Sequence, residues 1–338
     1  MGMLDRYRGC LIGGAAGDAL GYPVEFMSLD SIISRYGQSG IISYELNNGI
    51  AEISDDTQMT LFTATGLLLG ITRARMRGIS ANPWDYVRYS YKDWYRTQTE
   101  KFPLDGYHYS WLDDVPELFS RRVAPVGLYC GRLYDDISTA DYIGAETAAL
   151  THGHPLGYIP AAALTHIIAV IVHYGYSIEK AVNSMMEEMR ISKYPDDTHT
   201  NDFLSLIVMA MQLAKDRNIK DAEAISILGE GWVAEEALAI AVFCSLRYSD
   251  DFSKAITAAV NHSGDSDSTG AITGNIVGAY LGLHGIPEKY MKNLELKDII
   301  MEIADDLFHD CPEPGVFLIR GFQEKSSVQL QLVNPEIP

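Results

Sequence analysis

Apolar residues recur at helical spacing along most of the chain, and no convincing run alternates with the two-residue period of a strand. The clearest pattern is made of glycine. Residues 5–22 read RYRGCLIGGAAGDALGYP, with Gly9, Gly13, Gly17 and Gly21 every fourth residue. On a helix that spacing draws a smooth, slowly winding stripe where another backbone can come close. A second segment repeats it with Gly270, Gly274, Gly278 and Gly282. Both helices are expected to be central, buried and closely packed, with each other as a candidate pairing. Pro23 stops the first helix and leaves Glu25 in its exit loop.

Further helices are read at 57–70, 138–151, 252–262 and, as an amphipathic region, 288–309. AAALTHIIAVIVHYGY is apolar nearly all round, hence buried on most sides, with Pro160 placed at its start. Ser177 is read as the cap of IEKAVNSMMEEM and Asn201 as the cap of DFLSLIVMAMQLAK. Gly229 to Gly231 separate a short helix from VAEEALAIAVFCSLRYS. Gly37, Gly40 and Gly49 mark turns, with a short extended piece at Ile41–Leu46 between them. Residues 71–135 are rich in Tyr and Trp and read as amphipathic packing on the core. No motif period and no low-complexity linker divides the chain. The expectation is one all-α domain over 1–338, with a core at about 5–310 and a surface tail at 311–338.

Composition sharpens this only in places. The 338 residues are 47% apolar and 21% charged, enough for a sizeable core. A net charge of −19 with no Lys/Arg cluster argues against a nucleic-acid partner. Cys10, Cys130, Cys244 and Cys311 form no C-x-x-C pair and read as reduced, mostly buried thiols. The N-terminus has no apolar signal region, and the longest apolar run, Pro160 to Val172, is short for a bilayer. A cytoplasmic protein with no membrane partner is expected.

The candidate chemistry lies in two clusters at helix starts, Ser54-Asp55-Asp56-Thr57 and Asp265-Ser266-Asp267-Ser268. A single Asp there needs only capping as its reason. Pairs are different, because adjacent carboxylates repel and one protonates unless a cation intervenes. No Lys or Arg lies near either cluster in sequence, and no Cys or His is interleaved. All-oxygen donors suit Mg²⁺, Mn²⁺ or Ca²⁺ better than zinc. His152-Gly153-His154 reads more readily as helix-terminal or ligand hydrogen bonding than as a metal pair.

GGAAGDALGYPVE, SDDT, LTHGHPLGY, GEGWVAEEALAIAVF and NHSGDSDSTGAITGNIVGAYLG occur in this order from about residue 5 to about 290. Together they resemble the ADP-ribosylglycohydrolase family. The resemblance implies an all-α orthogonal helical bundle with two Mg²⁺ (or Mn²⁺) at the base of a cleft. It implies Ser54, Asp55, Asp56, Asp265, Asp267 and Ser268 as ligands, with Glu25, Asp55 and Asp56 serving catalysis. It carries substrate binding to His152, Trp232, Arg122 and Gly127, with Trp232 near the adenine. The family's threonines are serines at 54 and 268, which keeps the hydroxyl. The usual glycine-rich diphosphate loop is replaced by PELFSRR at 116–122, where only Arg122 matches. Either Arg121 and Arg122 hold a diphosphate by charge in place of backbone N–H groups, or the ligand differs from ADP-ribose or binds weakly.

The implied function is hydrolysis of the glycosidic bond of an ADP-ribosylated protein side chain or a small ADP-ribosyl compound. A hydrolase of a different N- or O-glycoside, or a non-catalytic nucleotide-binding or structural member, stays open as an alternative.

Overall fold

The computed structural model describes residues 2–104, 110–115, 118, 137–191 and 197–309. Among the described residues there are thirteen α-helices, a few 3-10 turns and no strand. The two glycine-striped segments are α1 (Met3–Gly21) and α12 (Ser266–Leu281). They run antiparallel in direct backbone contact. A Cβ at Gly9, Gly13 or Gly17 would fall on the carbonyl oxygen of Gly278, Gly274 or Gly270 respectively, and one at Gly21 on that of Ser266. No other residue type permits this approach without moving a helix. Almost the whole of α1 from Gly9 onward is buried.

The other helices wrap this pair. α3 (Asp55–Arg77) begins at the first acidic cluster and packs on α4 (Pro83–Thr99). Gly66 and Gly70 of α3 let the backbone and ring of Tyr86 come close. α5 (Ile137–Ala149) lies on α6 (Pro155–Tyr174), and α6 on α7 (Ile178–Ile191). α8 (Asp197–Lys215) and α9 (Asp221–Leu228) lead to α10 (Ala234–Arg247), which is buried along most of its length. α11 (Phe252–Val260) and α13 (Lys297–His309) flank α12 and α1. α2 (Leu29–Tyr36), capped by Ser28, buries Ile32 in the core. One hydrophobic cluster joins residues from Tyr7 to Leu307.

Several expectations change. Ile41–Leu46 is not a strand; only isolated bridges form nearby, Asn47 with Ile50 and Ala51 with Leu294. The helix expected at 57–70 runs seven residues further, because Arg75 and Arg77 keep the last turn helical until Gly78 ends it at φ +63°. α6 starts at Pro155 with His154 as its cap, so Pro160 sits inside the second turn. Its one lost hydrogen bond is tolerated there, close to the helix start. That extension makes α6 long and apolar enough to cross a membrane by length and composition, yet 72% of the window is buried in the core. Asn201 lies inside α8, which begins four residues earlier, and its carbonyl accepts from Ser205. Ser177 does cap α7, accepting the Lys180 amide at 3.3 Å. Cys10 and Cys244 are buried free thiols; Cys130, Cys311 and the 311–338 tail lie outside the described residues.

Candidate active site

Antiparallel packing decides what meets at the end of α1. Gly21 rests on Ser266 and Asp267, so a tight turn at Tyr22–Val24 delivers Glu25 beside the start of α12. Carboxylate oxygens of Glu25, Asp265 and Asp267 lie within 4.8 Å of one another. The first acidic cluster arrives by a different route. Asp18, fully buried in α1, accepts the backbone N–H of Ser54 at 2.9 Å and of Thr57 at 3.1 Å, and the Thr57 hydroxyl as well. This anchors the first turn of α3 next to α12. The Ser268 side chain then stands beside the Asp56 carboxylate across the gap. The two clusters, about two hundred residues apart in sequence, share one cleft of about 400 Å³ lined by Glu25, Asp55, Asp56, Asp265, Asp267 and Ser268.

Two further contacts stiffen the α12 side. Asp265 caps the helix, its carboxylate accepting the Ser268 amide at 3.3 Å, while Asp267 accepts the same amide at 3.0 Å. The Asp265 amide donates to the Glu230 carbonyl at 2.9 Å, tying the cap to the α9–α10 loop.

The electrostatics are one-sided. Among the described residues lining the cleft there is no Lys or Arg. Burial, with Asp265 and Asp18 beside it, pushes the Glu25 carboxyl up to about 7. Burial raises Asp18 to about 6 against the hydrogen bonds that favour its charge. Burial and the neighbouring carboxylates push Asp56 and Asp267 far above the usual range. At an effective dielectric of about 20, two like charges 4.8 Å apart repel by roughly 3.5 kcal/mol. The group stays ionised only with cations among it, and otherwise takes up protons. One buried oxygen of Asp56, Oδ2, has no hydrogen-bond partner. An all-oxygen donor set with an orphaned buried carboxylate oxygen fits hard divalent cations.

The remaining predicted residues divide. His152 and Trp232 line the same cleft, and His152 Nδ1 meets the Thr151 hydroxyl at 2.9 Å. His154 points elsewhere: it accepts the Leu156 amide at 3.2 Å as the α6 cap and packs edge-on against His199. Ser54 is buried, is not among the cleft-lining residues, and accepts the Asp56 amide at 3.0 Å as the α3 cap. Arg121, Arg122, Gly127 and most of the 116–122 stretch lie outside the described residues.

Two site residues escaped the sequence reading. Asp18 looks like a stray polar residue in a glycine-rich helix; its signal was an acid in an otherwise apolar stretch. Asn275 lines the cleft floor, and its side-chain oxygen accepts from the Cys10 thiol at 3.7 Å. Gly14, out of phase with the glycine stripe, is small because the Asn275 amide lies where its Cβ would be.

Comparison with known proteins gives this cleft a lineage. The family model for ADP-ribosylglycohydrolase matches residues 1–316. The chain belongs to the ADP-ribosylglycohydrolase family. It is similar to the ADP-ribosylarginine hydrolase Tri1 of Serratia proteamaculans, 26% identical over 327 residues, covering 92% of this chain and 81% of the relative. It also resembles the ADP-ribosyl-[dinitrogen reductase] glycohydrolase of Rhodospirillum rubrum, 26% identical over 308 residues, covering 87% and 91%. A solved structure described as an ADP-ribosylglycohydrolase-related protein complex aligns with a TM-score of 0.57 at 20% identity, covering 91% of this chain and 98% of that one. The last likeness shows that the all-α fold of the family is shared.

Proposed function

We propose that this chain hydrolyses the glycosidic bond between ADP-ribose and a protein side chain, or that of a small ADP-ribosyl compound. The observation that carries the reading is the meeting of Glu25, Asp265 and Asp267 within 4.8 Å at the floor of a cleft. The names of the relatives supply the substrate class. Two Mg²⁺ ions, or Mn²⁺, would be held by Asp55, Asp56, Asp265 and Asp267, with the hydroxyl of Ser268; Ser54, which caps α3 and does not line the cleft, would support the first turn instead. Bound there, the ions would offset the gathered negative charge and lower the pKa of a coordinated water.

The protein's own groups do the rest. Glu25 lies within 4.8 Å of Asp265 and Asp267, a position from which its carboxyl can serve as general acid or base as the bond to C1″ breaks. One of the cluster aspartates shares that proton traffic. Asp18 does not reach the cleft; it positions α3 so that Asp55 and Asp56 face Glu25. His152 and Trp232 border the space a ligand would fill.

The test is turnover of ADP-ribosylated protein by wild type, Glu25→Gln and Asp55→Asn with excess Mg²⁺, beside calorimetric titration of ADP-ribose. Glu25→Gln should lose turnover and keep ADP-ribose binding, whereas Asp55→Asn should lose turnover and metal binding together. Full metal-dependent turnover by Asp55→Asn would sink the reading. The departure at PELFSRR motivates a second reading, a different glycoside. Metal binding without ADP-ribose binding would favour it.

A further inference from the structure

Two large aromatic side chains stand exposed at the rim of the cleft, in contact with each other. Phe26 follows Glu25 directly and is 81% exposed; Trp232 lines the cleft and is 46% exposed. Their rings stack with centroids 5.6 Å apart and planes 17° from parallel. They come from different elements, the exit of α1 and the loop between α9 and α10. Aromatic faces left open to water beside a cleft mark a surface that a ligand covers.

The edge of this stack carries a carboxylate. Trp232 Nε1 donates to Glu230 Oε2 at 3.2 Å. Glu230 is fixed in its turn: its carbonyl accepts from Asp265, and its amide donates to Glu236 at 3.0 Å. Stack, carboxylate and candidate catalytic carboxylates therefore hold one geometry.

An aromatic face with a carboxylate at its edge suits a planar cation. A guanidinium lies flat on the ring and directs its N–H groups sideways to the acid. A diphosphate would meet like charge at Glu230; the adenine that the family resemblance places near Trp232 is the competing occupant, and it is neutral where this carboxylate calls for a cation. We propose that Phe26, Trp232 and Glu230 form the subsite for the group released by cleavage, and select substrates in which ADP-ribose is linked to a guanidinium, as in an arginine side chain. The proposal rests on the hydrolase reading above and deepens it. A serine-linked substrate offers neither a plane nor a positive charge.

The test compares wild type, Phe26→Ala and Glu230→Gln on two peptides, one ADP-ribosylated on arginine and one on serine, with ADP-ribose titrated into each protein. Each variant should lose about tenfold in kcat/KM on the arginine peptide, mainly through KM, with the serine peptide and ADP-ribose affinity unchanged. Equal losses on both peptides, weakened ADP-ribose binding, or wild-type preference for serine would overturn the assignment. A wild-type protein that turns over neither peptide removes the hydrolase reading instead. The subsite is then read by titrating agmatine into the ADP-ribose complex: binding lost in Phe26→Ala sustains it, and binding unchanged or absent in wild type overturns it.

Discussion

Asp18 in α1 receives the amide of Ser54, 36 residues further along, at 2.9 Å, and this bond sets where the SDDT cluster stands. Its other oxygen takes the amide and hydroxyl of Thr57. An asparagine would turn an N–H group toward one of these donors. Asp18→Asn should cost about 1–3 kcal/mol in denaturant unfolding, the desolvation cost of stranded buried donors. It should also weaken Mg²⁺ binding measured by calorimetry, although Asp18 touches neither cleft nor ligand. Unaltered Mg²⁺ affinity would show that α3 keeps its place without this bond.

Gly17 faces the Gly270 carbonyl with no space for a methyl group. Gly17→Ala should destabilise the chain by about 3 kcal/mol, the upper end of overpacking costs. The effect should exceed that of Gly153→Ala, where a Cβ meets nothing within 4 Å. Thermal unfolding of the two variants side by side reads the difference.

Asp56 is buried among like charges with one oxygen unpartnered. Removing its charge should help the metal-free chain and harm the loaded one. Asp56→Asn is expected to melt above wild type in a chelator, and to lose the rise in Tm that excess Mg²⁺ gives wild type. Equal melting of both proteins in both buffers would remove the case for a cation between the clusters.

Away from the cleft, burial with Glu302 and Asp305 nearby raises the Asp306 carboxyl from 3.8 to about 6. The folded state therefore binds this proton more tightly than the unfolded state. Stability from this group is present at low pH and is lost as pH rises from about 4 to about 6. Asp306→Asn should match wild type below that window and melt higher above it. A Tm difference independent of pH would contradict this.

Arg247 is buried at the end of α10, donating to the carbonyls of Asp216 at 2.9 Å and Ile219 at 2.7 Å and pairing with Asp221 at 2.9 Å. Lysine has the charge without the fork. Arg247→Lys should lose about 2 kcal/mol in denaturant unfolding, in the range for charge-assisted bonds. A loss within error of zero would show that one ammonium serves all three carbonyl and carboxylate partners.

Much of this was legible in the sequence where the pattern had a single physical reading. Glycines every fourth residue, twice, leave little but close helix contact, and α1 and α12 do pack this way. Carboxylates paired at two helix starts repel, and they do share a cleft. Legibility failed where two physical reasons compete. Pro160 suits a helix start, but Pro155 already fills that role. Asn201 has the chemistry of a cap, yet the helix had begun before it. Asp18 and Asn275 are polar residues on striped helices, and their partners on α3 and α1 are fixed only by the packed structure. Phe26 reads as one more apolar residue until its ring is found outside, lying on Trp232.

The backbone contact between α1 and α12 also has a meaning in time. The first helix leaves the ribosome some 240 residues before its partner, with a glycine-rich sequence that favours helix weakly on its own. Its seat exists only once α12 has been made, so the segment carrying Asp18 and Glu25 waits through most of synthesis and closes late. The acidic cleft is thus assembled in one of the final folding events, after the helices translated between them have had time to pack.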